Sequence, residues 1–192
     1  MSTAGLILAA GESRRMGSPK ALLQYGDSTF LDRLMTLFAV RCSPVIVVLG
    51  AAAEQIRNRS SVSATYVINP DYSRGQTSSM QCGLRALPPG VEGVLFTLVD
   101  HPAVEAATID ALLMPPRPLI RVPRYQSRRG HPVWFARQLV AEFLALAPDA
   151  AASDVVHAHR SETEYVDVAD QGILADIDDP ASYRALTGGE AR

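Results

Sequence analysis

A basic loop near the start of the chain carries the clearest chemical signal in the sequence. The apolar run over residues 5–9 predicts a buried strand, and Gly11 follows it. Arg14, Arg15 and Lys20 then place positive charges on the loop. A loop of this kind at the end of a strand can present backbone amides and cations to phosphate groups. Because it lacks both the lysine–serine or lysine–threonine pair of a Walker A motif and the G-x-G-x-x-G spacing of dinucleotide sites, it predicts phosphate binding of another type.

An aspartate at the end of a second apolar run is the candidate metal ligand. Residues 93–99 predict a buried strand, and Asp100 follows it directly. In an open α/β sheet the ligand crevice lies at the carboxyl ends of the strands. Mg²⁺ prefers one or two carboxylates together with phosphate oxygens and water, so a carboxylate at this place suits it. The alternative, that Asp100 caps the next helix, is disfavoured because Pro102 and Ala103 intervene.

The region near the end of the chain supplies further carboxylates. Asp176 and Asp178 alternate in an extended segment, so their side chains share one face. We expect Asp178 to face the metal. Asp179 better suits the N-cap of a final helix over residues 181–186.

Uncharged polar residues gather in a loop and helix over residues 69–84. Asn69, Ser78 and Ser79 offer hydrogen-bond donors and acceptors that suit a base or a ribose. On chemistry alone, the segment is equally well explained as a helix capped by Thr77 or Ser78. Both interpretations stay open at this point.

Arginines and histidines in the second half of the chain give weaker signals. We expect at least one of Arg128 and Arg129 to be solvated. A ligand-binding role for His131 and a buried role, hydrogen-bonded to backbone, are equally open. His157 and His159 lie two residues apart, which places them on different helix faces and predicts solvated side chains rather than a metal pair.

A repeated alternation of strands and helices must position these residues. The predicted strands cover residues 5–9, 45–49, 65–68, 93–99, 119–122 and, at a sheet edge, 164–168, and the predicted helices cover 29–40, 54–58, 105–114, 138–146 and 181–186, with one more beginning near Thr77 or Ser78. Ser28 or Asp27 is the expected cap of the first helix. The alternation predicts an α/β fold, a single domain with a Rossmann-like, doubly wound, mostly parallel sheet of about seven strands and helices on both faces.

Composition limits the functions that the chain can have. Its 192 residues fit one domain, which we place at 1–187, followed by a disordered tail at 188–192. A net charge of −2 gives no basic field for binding nucleic acid. Two cysteines make no disulfide framework, which fits a reducing compartment, so we expect a cytoplasmic protein. The sequence shows no secretory signal pattern and no apolar run of about 18 residues, so we expect no membrane partner.

The basic loop resembles a known family signature. It follows the pattern Leu8-Ala9-Ala10-Gly11-x-Ser13-x-Arg15-Met16-Gly17-x-x-Lys20, which is similar to that of the small nucleotidyltransferases related to molybdenum-cofactor guanylyl- and cytidylyltransferases. The Ala-Ala-Gly form is similar to the cytidylyl branch. The Asp-x-Pro at 100–102 and the Asp-Ile-Asp-x-Pro at 176–180 are also similar, and the resemblance covers residues 5–186.

This resemblance implies a reaction, partners and residue roles. An enzyme of this kind, with the fold of nucleotide-diphospho-sugar transferases, transfers CMP from CTP to the phosphate of molybdopterin and releases pyrophosphate. The cofactor implied is Mg²⁺, with Mn²⁺ as an alternative, and a molybdoenzyme or its maturation factor is a further partner. The implied roles are catalytic for Arg15, Lys20 and Asp100; nucleotide-binding for Leu8, Ala9, Ala10, Gly11, Arg15, Lys20, Asn69, Ser78, Ser79 and Gly83; metal-binding for Asp100 and Asp178; and acceptor-binding for Gly130, His131 and Asp149.

The chain departs from the family pattern at residues 148–153. Sequences of the cytidylyl type carry Gly-Asp-x-Gly-Ala-Arg at this place, whereas this chain reads Pro-Asp-Ala-Ala-Ala-Ser. The lost guanidinium is a bidentate partner for phosphate or carboxylate, so the identity of the acceptor stays open. The alternatives are transfer to a sugar or alcohol phosphate, and a nucleotide-binding partner without catalytic activity.

Overall fold

A central sheet with helices on both sides organises the chain. The computed structural model describes residues 2–115, 118–147 and 150–188. The strands are β1 Thr3–Ala9, β2 Gln24–Tyr25, β3 Ser28–Thr29, β4 Val45–Leu49, β5 Thr65–Ile68, β6 Gly93–Leu98, β7 Ile120–Tyr125, β8 Arg128–Arg129, β9 Val133–Ala136 and β10 Thr163–Asp167. The helices are α1 Phe30–Ala39, α2 Ala53–Arg59, α3 Gln76–Arg85, α4 Ala106–Leu113, α5 Val140–Ala145, α6 Ser153–Ala158 and α7 Pro180–Leu186.

The main sheet is mostly parallel, as the sequence predicts. Its strands lie in the order β10-β7-β9-β6-β1-β4-β5, and β8 pairs with β7. β1 lies between β4 and β6 and is parallel to both. β9 is antiparallel to both of its neighbours, β6 and β7. The predicted edge position of the strand near residue 164 is confirmed, because β10 ends the sheet.

Two apolar clusters, one on each face of the sheet, hold the helices in place. Neighbouring residues of β1 point to opposite faces, so Ile7 lies in one cluster and Leu6 in the other. The first cluster takes up apolar side chains of α1, α2 and α4, and the second those of α3, α5 and α6. The predicted doubly wound architecture is therefore confirmed.

The predicted helix caps were partly wrong. Thr29, rather than Ser28 or Asp27, caps α1, because its Oγ1 accepts the backbone N–H of Asp32. Ser28 belongs instead to the small β2–β3 hairpin. The prediction for the final helix was right, since Asp179 caps α7 through the backbone N–H groups of Ala181 and Ser182.

The helix after the polar loop also begins earlier than the sequence suggests. α3 starts at Gln76 with Gly75 at its N-cap, so neither Thr77 nor Ser78 is the cap. The Thr77 hydroxyl donates to the Ala150 carbonyl oxygen, and the Ser78 hydroxyl donates to the Gly75 carbonyl oxygen. These hydroxyls tie the first turn of α3 to neighbouring loops.

Some elements were not predicted from the sequence, and some expectations about the end of the chain stay untested. β9 and α6 were not predicted. The domain limit at residue 187 and the disordered tail stay predictions, since residues 189–192 lie outside the described residues. Within the described residues, no helix is long and apolar enough to cross a membrane.

Candidate active site

A cavity of 350 Å³ opens where β1 and β6 end, between the basic loop and α3. Most of the residues that sequence reasoning singled out lie on its wall. They are Leu8, Ala9, Ala10, Gly11, Arg15, Lys20, Ser79, Asp100 and Asp178. The fold thus brings together four segments that are far apart in sequence, and the roles implied for their residues stay predictions.

The basic loop is held in shape by its own backbone. Ser13 has a positive φ of 53° and Gly17 one of 68°, so the chain turns sharply on both sides of Arg15. The Ser13 Oγ accepts the backbone N–H of Lys20 over 2.9 Å, which closes the loop. This closure directs the side chains of Arg15 and Lys20 towards the cavity.

The cations of the loop are paired with the carboxylates opposite. Lys20 Nζ lies 3.1 Å from Asp100 Oδ2 and 2.5 Å from Asp178 Oδ1. Arg15 Nη2 donates to the second oxygen of Asp178, Oδ2, over 2.7 Å. Burial opposes the charge on Lys20, but the hydrogen bonds and charges of Asp178 and Asp100 outweigh it and raise the pKa of Lys20. The same hydrogen bond from Lys20 is the main cause that lowers the pKa of Asp178.

Asp100 also belongs to a group of three potential metal ligands. One ligand atom from each of Asp100, His101 and Asp176 lies within 4.8 Å of the others. Asp100 Oδ1 is buried and has no hydrogen-bond partner in the part of the chain that the structure describes. Burial, with the nearby charges of Asp100 and Asp178, raises the pKa of Asp176. An oxygen-rich group with an unpartnered buried carboxylate oxygen fits a divalent cation.

His101 was missed by sequence reasoning, although it directly follows the candidate metal ligand. Its side chain is buried, and its Nε2 lies 3.9 Å from Asp100 Oδ1. Burial and the charge of Lys20 lower the pKa of His101 to about 4, so the imidazole is neutral at physiological pH. The signal in the sequence was a histidine next to a strand-end aspartate.

The segment that carries Asp176 and Asp178 is fastened by backbone hydrogen bonds. Ile177 N donates to the Asp100 carbonyl oxygen over 3.0 Å, and His131 N donates to the Ile173 carbonyl oxygen over 3.1 Å. A Cβ on Gly130 would lie 2.1 Å from that Ile173 oxygen, so only glycine allows this close approach. Gly130 therefore has a packing role.

The polar loop contributes through one buried amide. Asn69 Nδ2 donates to Ser78 Oγ and to Ser79 Oγ, each over 3.0 Å, and Asn69 Oδ1 accepts from Asp71 N. Asn69 is only 4% exposed, so it positions the serines. Gly83 does not line the cavity: a Cβ there would lie 2.4 Å from Leu6 Cδ1, so this glycine allows α3 to pack on the sheet.

A second cavity of 580 Å³ adjoins the first, and Gly75 and Gln76 border both. Gly130 and His131 line this second cavity, on the side where the resemblance implies the acceptor. The predicted acceptor residue Asp149 lies outside the described residues. Burial is the main cause that lowers the pKa of His131 to about 4.

The two remaining histidines differ from each other. His157 is exposed and lines the second cavity. His159, which the sequence predicts to be solvated, contacts two carboxylates, with Nδ1 2.9 Å from Glu162 Oε2 and Nε2 2.8 Å from Glu142 Oε2. Both ring nitrogens of His159 are therefore engaged by carboxylates.

Comparison with known proteins places this geometry in a family. The model of the MobA-like NTP transferase domain matches residues 5–163. The nicotine blue oxidoreductase of Paenarthrobacter nicotinovorans is 32% identical over 188 residues, 91% of each chain. The molybdenum cofactor cytidylyltransferase of Escherichia coli (strain K12) is 24% identical over 181 residues, 93% of this chain and 92% of that enzyme.

A solved structure of a relative agrees along nearly the whole chain. Rv0371c of Mycobacterium tuberculosis H37Rv superposes with a TM-score of 0.86 at 32% identity, over 98% of both chains. The same protein in complex with manganese superposes with a TM-score of 0.82 at 30% identity, over 99% of this chain and 100% of that one. This chain therefore belongs to the MobA-like NTP transferase family, whose activity is nucleotidyl transfer.

Proposed function

We propose that this protein transfers CMP from CTP to the phosphate of molybdopterin and requires a divalent cation, Mg²⁺ or Mn²⁺. One observation carries the proposal: Lys20 and Arg15 contact Asp100 and Asp178 on the wall of a cavity at the carboxyl ends of parallel strands. The cations that bind the triphosphate and the carboxylates that bind its metal would therefore lie on the same wall of this cavity.

The reaction requires the two phosphate groups to be positioned and their negative charge to be stabilised, and it requires no general base. An oxygen of the acceptor phosphate attacks the α-phosphorus of CTP, the bond from this phosphorus to the oxygen bridging to the β-phosphate breaks, and pyrophosphate leaves with that electron pair. Since the acceptor oxygen is already anionic, no proton has to be removed. A divalent cation on Asp100 supplies positive charge to the phosphate oxygens when it is bound.

The basic loop holds the leaving group. Arg15 and Lys20 exchange their carboxylate partners for oxygens of the β- and γ-phosphates, and so offset the charge that develops on pyrophosphate. The backbone at Ala10 and Gly11 lies beside the base, and the methyl group of Ala10 restricts the room for a purine. The resemblance to the cytidylyl branch and the name of the E. coli relative support CTP and molybdopterin.

The acceptor fits the second cavity. It adjoins the first at Gly75 and Gln76, so a phosphate at this junction lies near the triphosphate. The expected contact with a molybdoenzyme or its maturation factor stays a prediction.

A second candidate function follows from one of the relatives. The P. nicotinovorans protein that matches over 91% of both chains is named an oxidoreductase. An oxidoreductase needs an electron donor, and the cations of the basic loop can pair with the phosphates of a reduced nicotinamide dinucleotide, although the loop lacks the G-x-G-x-x-G spacing of dinucleotide sites. Oxidation of that dinucleotide in the presence of nicotine blue, without pyrophosphate release from any nucleotide, would favour this function.

Two measurements test the proposal. The first is a thermal-shift series with each nucleoside triphosphate and Mg²⁺ or Mn²⁺, because a ligand that binds the folded state raises the melting temperature. We expect CTP with metal to give the largest shift. The second is pyrophosphate release from CTP with molybdopterin, a sugar phosphate or no acceptor. Pyrophosphate release with a sugar phosphate but not with molybdopterin would show that molybdopterin is not the acceptor. Release with no acceptor would indicate hydrolysis of CTP.

A further inference from the structure

The two oxygens of Asp100 have different surroundings. Oδ2 accepts from Lys20 Nζ over 3.1 Å. Oδ1 is buried and lacks a hydrogen-bond partner among the described residues. A buried carboxylate oxygen without a partner is costly, so this oxygen of Asp100 requires a cation or a donor beyond those that the described residues supply.

Two further potential ligands, His101 and Asp176, lie near Asp100. His101 is 7% exposed, its Nε2 lies 3.9 Å from Asp100 Oδ1, and its Nδ1 has no hydrogen-bond partner among the described residues. Asp176 completes the group within 4.8 Å.

Asp178 is engaged in another way. Its Oδ1 accepts from Lys20 and its Oδ2 accepts from Arg15. A cation at Asp178 has to displace two positively charged side chains, whereas a cation at Asp100 Oδ1 displaces none. Asp176 and Asp178 are only two residues apart, but the structure gives them different neighbours.

We infer that the divalent cation of this site is held by Asp100, Asp176 and His101 rather than by Asp100 and Asp178, and that the imidazole makes the site prefer Mn²⁺ to Mg²⁺. Mg²⁺ strongly favours oxygen ligands, whereas first-row transition ions also accept imidazole nitrogen. The role of the cation in the reaction rests on the proposed function. Its ligands do not, since binding of the ion can be measured without nucleotide or acceptor.

The first test compares matched variants of the full-length protein without nucleotide. Free Mn²⁺ is counted by electron paramagnetic resonance, and Mg²⁺ is added as a competitor. We expect Asp176→Asn to weaken Mn²⁺ binding on the order of tenfold or more, as expected for loss of a ligand, and Asp178→Asn to change it less than about threefold. We expect His101→Gln to lower the preference for Mn²⁺ over Mg²⁺ on the order of tenfold.

The second test uses the unaltered protein, so it does not depend on a variant that folds. Pulsed electron paramagnetic resonance of bound Mn²⁺ should show a hyperfine coupling to nitrogen, which His101→Gln removes. Absence of this coupling in the unaltered protein would show that His101 does not bind the ion. Loss of Mn²⁺ binding in Asp178→Asn, with binding kept in Asp176→Asn, would overturn the ligand set.

These results are separate from those that test the reaction. Pyrophosphate release with no Mn²⁺ binding at the group of three contradicts this inference and leaves the proposed function in place. Mn²⁺ binding at the group with no response to any nucleotide supports the inference and contradicts the proposed function.

Discussion

Lys20 Nζ donates to Asp178 Oδ1 over 2.5 Å, across 158 residues of sequence. The Lys20 side chain, which we expect to bind the triphosphate, is therefore already paired with a carboxylate. This carboxylate belongs to the segment over residues 176–179, here called the closing segment. Nucleotide binding has to replace this pair, so the affinity for nucleotide is reduced by the free energy of the Lys20–Asp178 and Lys20–Asp100 contacts.

Replacement of Lys20 tests both of its roles. Lys20→Ala should weaken binding of metal–CTP about tenfold to a hundredfold, because a charge-assisted hydrogen bond contributes roughly 1.5–3 kcal/mol. It should also lower the melting temperature of the free protein, because Asp100 and Asp178 lose their shared counterion, and Mn²⁺ should restore part of that loss. Calorimetric titration and thermal unfolding measure the two effects. Arg85→Ala, at an exposed cation on α3, is the control and should change neither. Unchanged CTP affinity in folded Lys20→Ala would contradict the phosphate-binding role.

Asp170 should act on the metal site from a distance. Its Oδ2 accepts from Glu105 N and from the Thr108 hydroxyl, and its Oδ1 accepts from Gly172 N, all within 2.8 Å. This buried carboxylate joins the start of α4 to the segment that leads to Asp176. We expect Asp170→Asn to destabilise the fold by roughly 3 kcal/mol and to weaken Mn²⁺ binding.

Denaturant unfolding and Mn²⁺ titration measure the two effects of Asp170→Asn. Asp27→Asn, an exposed carboxylate, is the control and should stay within about 0.5 kcal/mol of the unaltered protein. An Asp170→Asn protein with normal stability would show that these three hydrogen bonds contribute little.

Replacement of Gly83 distinguishes a packing role of this residue from a nucleotide-binding role. Its Cβ would lie 2.4 Å from Leu6 Cδ1 and 2.7 Å from Val48 Cγ2, both in the apolar core. Gly83→Ala should therefore cost about 1–3 kcal/mol of unfolding free energy, although alanine favours helices. The KM for CTP should change little, because the residue is not on the cavity wall. A raised KM with unchanged stability would favour the nucleotide-binding role that the resemblance implies.

His159 should make stability depend on pH. Hydrogen bonds to Glu162 and Glu142 raise its pKa above the usual value, so the folded state binds the proton more tightly than the unfolded state does. The stabilisation is therefore fully present below about pH 6.5 and is lost as pH rises through the raised pKa. Melting curves of the unaltered protein and of His159→Gln should differ near pH 6 and converge near pH 9.

The glutamates supply the control for the His159 prediction. In a Glu142→Gln, Glu162→Gln double variant, His159→Gln should no longer change the pH dependence. A difference between melting curves that persists at high pH would show that packing of the ring, and not its charge, stabilises the segment.

The sequence predicts the strands that build the site better than it predicts the contacts across it. Residues at the ends of apolar runs, such as Gly11 and Asp100, could be placed because parallel strands end at one edge of the sheet. The pairing of Asp178 with Lys20 could not be predicted, because it depends on how a late loop returns over the sheet. The closeness of His101 to Asp176 could not be predicted for the same reason, although the place of His101 directly after Asp100 was visible in the sequence.

The length of chain between Arg15 and Asp178, 163 residues, also has a consequence for synthesis. At translation rates of roughly 5–20 residues per second, the basic loop is made on the order of ten seconds before the closing segment. During that interval Arg15 lacks its carboxylate and can attract any polyanion in its surroundings. The ion pair of Arg15 with Asp178 therefore forms only after nearly the whole chain has been made, so it stabilises the completed fold and not the early folding intermediates.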